Sequence, residues 1–258
     1  MTAVVVNHVV HGPDDAPVLV LAGSLGSTHR MWDPAVLALA EHLRVVTYDA
    51  RGHGRSPAPA GPYAIDDLAD DLVLLLDTLG VGRAHLGGLS MGGMTAMRLA
   101  ARDPGRVGTL TLLCTSAQLG PAQGWHDRAA AVRAGGAASV APVIVERWLT
   151  PAAAQRDPAL VAALVEMVSS SSTHGYAACC EAIAAMDLRP DLAAITAPTL
   201  AVAGEQDPAT PPEHLRLIAD GIAGARLEVL SPAAHVAVLE QPVAIARLVL
   251  DHVAAHPV

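Results

Sequence analysis

The chain has 258 residues, 52% hydrophobic and 16% charged, with a formal net charge of −9. That length suits one large α/β domain with room for an insertion, and the acidic balance argues against nucleic acid or an anionic membrane as partner. Aromatic residues are only 2% and Phe is absent, so the core must be built from Leu, Val, Ala and Ile, with no series of rings on which bases could stack.

All 16 basic residues are Arg, a bias that fits the Ala, Gly and Pro richness better than a functional signature. Cys114, Cys179 and Cys180 are odd in number and lack metal-ligand spacing. The opening MTAVVVNHVVHG lacks a basic start followed by an apolar core and cleavage site, and no apolar run is long enough to span a bilayer. These features lead to the expectation of a reduced, cytoplasmic protein without metal.

Residues 3–11 alternate weakly about Asn7-His8 and read as a leading hairpin. Residues 17–22, PVLVLA, form a continuous apolar run, as in a strand buried on both faces. It ends in the flexible loop Gly23-Ser24-Leu25-Gly26-Ser27. Asp33 and Pro34 open a helix to about residue 43, and residues 44–48 form the next strand. The turn Asp49-Ala50-Arg51-Gly52-His53-Gly54-Arg55-Ser56 follows; a histidine between glycines there reads as a hydrogen-bonding structural residue rather than a base. Leu68, Leu72, Leu75, Leu76 and Leu79 recur at helical spacing over residues 65–79, with Gly80 as the stop.

Residues 83–101, RAHLGGLSMGGMTAMRLAA, run from a short strand through Gly88-Leu89-Ser90-Met91-Gly92 into a helix-forming segment. G-x-S-x-G between strand and helix makes an elbow that lifts a serine hydroxyl above the end of a sheet. Small residues two positions before and after Ser90 let the flanking strand and helix pass. Residues 107–114 are another buried strand, and strands alternating with helices imply a parallel sheet with right-handed crossovers.

The rhythm changes over residues 119–186. Helix signals at 123–134, 138–149, 159–168 and 176–186 are broken by Pro151 and the Ser169-Ser170-Ser171-Ser172 cluster. The expected organisation is a core of residues 1–118 and 187–258 with a helical cap at 119–186. Strands at 199–203 and 226–230, and helices at 212–222 and 243–254, resume the earlier pattern.

A serine hydroxyl attacks only when a base removes its proton and a third group holds that base. Each of the last two strands ends in a loop carrying a suitable group: Asp207, with Glu205 as an alternative, and His235 among Ala233, Ala234 and Val236. Ligands of open α/β sheets bind at such carboxyl ends. Ser90, Asp207 and His235 are therefore the expected catalytic set. An oxyanion needs two backbone donors, Met91 N–H and one from Ser24 or Leu25.

The stretches Ser24-Leu25-Gly26-Ser27 to Met31-Trp32-Asp33-Pro34, Tyr48 to Gly54, Gly61-Pro62-Tyr63, Leu89-Ser90-Met91-Gly92-Gly93 and Thr115-Ser116-Ala117 are similar to α/β-hydrolases of the 3-oxoadipate enol-lactonase type. The similarity covers nearly the whole chain and is weakest in the cap. Ala22-Gly23 before Ser24 and the Ala-rich cap depart from it. The resemblance implies an α/β-hydrolase fold, a mostly parallel eight-stranded sheet flanked by helices with a helical cap. It also implies hydrolysis of a small enol-lactone to 3-oxoadipate in aromatic catabolism, without cofactor.

A carboxylate on such a substrate calls for cap cations, with Arg128, Arg133, Arg147 and His174 as candidates and Trp125 and Trp148 as pocket walls. The expected partner is a small lactone or ester, and a homodimer stays open. Carboxylesterase or methylesterase action, cofactor-free perhydrolysis of the haloperoxidase type, and non-catalytic small-molecule reception are the rival readings.

Overall fold

The computed structural model describes residues 2–257. In chain order the elements are β1 (His8–His11), β2 (Val18–Ala22), α1 (Asp33–Ala40), β3 (Arg44–Tyr48), α2 (Ile65–Thr78), β4 (Ala84–Leu89), α3 (Met91–Arg102) and β5 (Val107–Leu113). Five helices follow: α4 (Ala122–Gly135), α5 (Ala141–Glu146), α6 (Pro151–Arg156), α7 (Pro158–Ser169) and α8 (Thr173–Ala185). The chain ends with β6 (Thr199–Gly204), α9 (Pro212–Gly221), β7 (Arg226–Leu230), α10 (Ala237–Glu240) and α11 (Pro242–Ala254).

The strands form one sheet in the order β1-β3-β2-β4-β5-β6-β7, parallel except for β1, which runs antiparallel to β3. Every residue of β4, β5 and β6 is buried, because helices cover both faces of the sheet. The continuous apolar runs in these strands are what such double burial requires.

Seven strands lie among the described residues, not the eight expected, and the difference falls in the leading hairpin. Only its second arm pairs with a neighbour, as β1. The first arm gives its amides to side chains instead: Val4 N–H donates to Asp71 Oδ1 at 2.7 Å, and Asn7 N–H to Ser56 Oγ at 2.8 Å. With those donors committed, no ladder forms there.

The insertion between β5 and β6 holds five helices rather than four. Pro151, expected to interrupt, instead starts α6, where Thr150 Oγ1 caps the helix by accepting from Ala153 N–H at 3.2 Å. Residues 138–149 divide into a single 3₁₀ turn at Ala137–Ser139 and the short α5. Pro142, which has no amide to donate, marks the restart. Ser172 Oγ accepts from Gly175 N–H at 3.3 Å and so caps α8. No helix of the described residues is long and apolar enough to cross a membrane.

Beneath the loop that follows β3 lies a buried ion pair. The fully buried Arg51 donates through Nε to Asp71 Oδ2 and through Nη2 to Asp71 Oδ1, both at 2.6 Å, and its Nη2 also reaches Asp67 O at 2.9 Å. One guanidinium thus joins the 49–56 turn to α2, and Asp71 ties in the N-terminal segment through Val4.

Three histidines are buried without a counter-charge strong enough to keep them protonated. Burial lowers the pKa of His85 to about 4, helped by His252, Arg83 and His256. Burial also lowers His53 and His252, against partial support from the Arg51 and Pro198 carbonyls respectively. Folded, these rings stay neutral; unfolded, they take up protons below about pH 6.5. The stability they carry is present above pH 6.5 and is lost as pH falls below it, in the case of His85 down to about 4. Urea unfolding should show the midpoint dropping across this window, with His85 alone accounting for a loss on the order of 2–3 kcal/mol. His85→Asn should flatten the decline, and an unchanged slope would count against this origin.

Candidate active site

The geometry around Ser90 starts from a lack of space. One residue separates β4 from α3, and Ser90 takes φ 57° and ψ −117°, a conformation costing a non-glycine residue about 1–3 kcal/mol. Its backbone is held by hydrogen bonds from Ser90 N–H to Leu113 O at 2.9 Å, and to Ser90 O from Thr115 Oγ1 at 2.6 Å and Met94 N–H at 3.1 Å. The glycines flanking it admit no side chain. A Cβ on Gly88 would lie 2.3 Å from the Gly92 backbone, and one on Gly92 would lie 2.3 Å from Ala22 O on β2.

Asp207 leaves the end of β6 and is nearly fully buried. Its Oδ1 accepts from Ala209 N–H at 2.7 Å and Thr210 N–H at 3.0 Å; its Oδ2 accepts from Thr210 Oγ1 at 2.6 Å. His235 Nδ1 donates to the same Oδ2 at 2.9 Å, since a carboxylate can only accept. Burial pushes the Asp207 pKa up, but the charge and hydrogen bond of His235, with the bonds from Thr210, outweigh it and hold the carboxyl below its ordinary value. Asp207 is thus an anion in place to fix the tautomer of His235, leaving Nε2 as the basic nitrogen. Glu205, the alternative acid, instead takes a 2.5 Å hydrogen bond from the exposed Ser231 hydroxyl.

The two loops hold each other. Gln206 N–H donates to Ala233 O at 2.9 Å, and Gly204 sits so close to Ala234 O that a Cβ would lie 2.3 Å away. Glu240 pins the far side, which sequence reasoning missed. Its Oε2 accepts from Ala234 N–H at 2.6 Å, while Oε1 accepts from Thr150 N–H at 3.0 Å and Thr150 Oγ1 at 2.7 Å. Val236 N–H donates to Trp148 O at 2.9 Å. Both neighbours of His235 are therefore fastened to the helical insertion. An acid five residues beyond the histidine, at the end of a short helix, was the available signal; Thr210, three residues after Asp207, had the spacing of a side-chain-stabilised turn.

Ser90 and His235 line one narrow pocket of about 70 Å³, together with Ser24, Leu25, Trp125, Arg128, Arg147, Trp148 and Thr210. The Ser90 hydroxyl and His235 Nε2 carry no hydrogen bond among the described residues, so both face this space uncommitted. Met91 N–H opens α3 and has no intrahelical acceptor. In the loop after β2, Gly26 N–H donates to His53 Nε2 at 2.8 Å and Ser24 N–H to the weakly accepting sulfur of Met31 at 3.3 Å. Leu25 N–H has no acceptor among the described residues. Leu25 N–H is thus the loop's uncommitted donor, and Ser24 N–H is engaged only by a weak acceptor.

Two of the expected substrate contacts do not line the pocket of Ser90. Arg133 and His174 line a separate pocket of about 600 Å³ with Gly61, Pro62 and Glu181. Arg133 is there paired with Glu181 at 2.7 Å. Trp125 and Trp148 do line the pocket of Ser90, and its cations are Arg128, stacked 4.4 Å from the centre of the Trp125 ring, and Arg147. Arg147 Nη2 also donates to Pro208 O at 2.8 Å, beside Asp207.

The family model described as alpha/beta hydrolase fold matches residues 16–242. The 3-oxoadipate enol-lactonase 2 of Acinetobacter baylyi is 39% identical over 239 residues, covering 93% of this chain and 89% of that protein. Among solved structures, the enol-lactonase from Burkholderia xenovorans LB400 superposes with a TM-score of 0.94 at 39% identity over 96% of both chains. A hydrolase from Pseudomonas aeruginosa does so with a TM-score of 0.93 at 42% identity, over 96% of this chain and 94% of its own. With an elbow serine, a helical insertion between β5 and β6, and a whole-length match of this kind, the chain belongs to the alpha/beta hydrolase fold family.

Proposed function

We propose that the protein is a serine hydrolase that opens a small anionic lactone, with 3-oxoadipate enol-lactone as the first substrate to test. The observation that carries this reading is the convergence of Ser90 and the Asp207-bound His235 on one pocket that also holds two arginines. The 39% identity to an enol-lactonase supports the substrate class.

In this mechanism the neutral His235 removes the Ser90 proton through Nε2 as Oγ attacks the lactone carbonyl. Asp207, kept ionised, stabilises the imidazolium that results. The Met91 N–H and an amide of the Ser24–Leu25 pair receive the developing oxyanion, a donor set whose loss typically costs a factor of about 10²–10³ in turnover. Collapse of the tetrahedral intermediate expels the ring oxygen as an enolate, which takes the proton held by the His235 imidazolium and becomes a ketone, leaving His235 neutral again. Water, activated by His235, then attacks the acyl-enzyme and frees the second carboxylate. Hydrogen bonds between the serine and its base tighten when substrate fills such a site. Residues 119–186 act as a cap, contributing Trp125, Arg128, Arg147 and Trp148 to the walls.

Loss of the enol-lactone chromophore in the presence of the protein, and a fall of roughly a thousandfold or more with Ser90→Ala, is the expected outcome. Turnover of short aryl or methyl esters with the lactone untouched would move the assignment to an esterase. Peroxide-dependent halogenation in acetate buffer would move it to perhydrolysis. Binding that survives Ser90→Ala with no turnover of any ester would favour a receptor.

The pocket arginines give a second, separable expectation. Arg128→Met should raise KM for the carboxylate-bearing lactone about tenfold or more, the worth of a charge-assisted hydrogen bond, while changing KM for a neutral aryl ester less than threefold. Arg133→Ala should alter neither. Parallel steady-state kinetics on both substrates check this, and equal effects from the two substitutions would remove Arg128 from substrate binding.

A further inference from the structure

We infer that His53 is a positioning residue for the oxyanion site: its neutral ring holds the loop that presents the Ser24 and Leu25 amides to Ser90. The inference rests on the hydrolytic reading above and adds to it a residue that touches neither substrate nor Ser90.

Both nitrogens of His53 are committed, and together they define its tautomer. Nδ1 lies 3.0 Å from Arg51 O, a carbonyl that only accepts, so Nδ1 bears the proton. Nε2 therefore presents its lone pair, and Gly26 N–H donates to it at 2.8 Å across 27 residues of sequence. His53 is 1% exposed, so water does not compete for that lone pair. The bond fixes the peptide plane between Leu25 and Gly26, one link from the Leu25 N–H.

The loop is packed tightly on its other side as well. Gly26 has φ +84°, and a Cβ there would lie 3.0 Å from the Tyr176 ring on α8. A second clamp holds the loop three residues further on. Asp49 Oδ1 accepts from His29 N–H at 2.7 Å and from His29 Nδ1 at 3.0 Å. Asp49 and His53 belong to one turn, seated by Arg51 on Asp71. The loop that lines the pocket beside Ser90 thus takes its orientation from the turn after β3 rather than from its own glycine-rich sequence. A flexible loop would have to be ordered in every catalytic cycle, whereas donors aimed in advance cost nothing at the moment of reaction.

The test compares His53→Gln, His53→Asn and His53→Phe by kcat and KM on 4-nitrophenyl acetate. Hydrogen–deuterium exchange of residues 24–28 is followed in each variant, and thermal unfolding confirms that each is folded. Gln can place an oxygen where Nε2 stood; Asn reaches only the Nδ1 position; Phe fills the space without an acceptor. The expected result is kcat within about threefold of the parent for His53→Gln, and a loss of about tenfold or more for Asn and Phe with KM little changed, a fraction of what deleting an oxyanion donor costs. Faster exchange at residues 24–28 should accompany the loss.

Parent-like kcat in His53→Asn or His53→Phe overturns the inference, and so does a His53→Gln as impaired as Phe or a loss carried by KM alone. If His53→Phe does not fold, the comparison of Asn with Gln decides. Parent protein no faster than Ser90→Ala on any ester overturns the hydrolytic reading itself and takes this role with it, an outcome distinct from active parent protein with indifferent variants.

Discussion

The structure turns on the absence of room where β2, β4 and α3 cross. Ser90 occupies a left-handed backbone conformation that an L-residue normally avoids, and it stays there because the alternatives are blocked. Gly88 and Gly92 let the helix backbone and the Ala22 carbonyl approach within distances that no side chain allows. In exchange, the hydroxyl stands clear of the sheet and the Met91 amide is left without an intrahelical acceptor. The strain is local, and the fully buried strands on either side over-determine it.

Around that point the active groups are fixed by pairs of loops rather than by single loops. Asp207 and His235 sit on neighbouring strand ends that interlock through Gly204 and Ala234. Glu240 closes the arrangement by sharing one carboxylate between the histidine loop and Thr150. On the other side of Ser90, the donor loop after β2 is held by the turn after β3. In each case a conformationally free segment borrows its rigidity from a partner that is itself fixed by a charge: Glu240 in one, the Arg51–Asp71 pair in the other.

Much of this was legible in the sequence for a physical reason. Residues that meet above an open α/β sheet leave the carboxyl ends of its strands, and Ser90, Asp207 and His235 follow β4, β6 and β7, which the alternation of strand and helix signals marked. The hairpin was misread because alternation alone cannot reveal that Asp71 and Ser56, far along the chain, take the amides a ladder would need. Of the four candidate cap cations, Arg128 and Arg147 line the pocket of Ser90 while Arg133 and His174 do not, and the sequence could not tell them apart. Arg128 and Arg133 are five residues apart on α4, so they project roughly 140° apart around its axis. An Ala-rich helix has no contrast between faces to say which side is inward. One arginine meets Trp125 and the pocket, and the other meets Glu181 on the far side. The choice between Ser24 and Leu25 in the loop after β2 was also left open, because the acceptors that engage the loop's amides, Met31 and His53, are chosen by packing.

The fastening of residues 147–150 bears on how far one wall of the pocket can move. Arg147 is bonded to Pro208, Trp148 to Val236, and Thr150 twice to Glu240. This stretch is therefore anchored to the sheet domain even though it lies within the helical insertion. A wall tethered by four bonds cannot swing aside without disturbing the histidine loop. The pocket wall formed by Arg147 and Trp148 is thereby tied to the placement of the His235 ring.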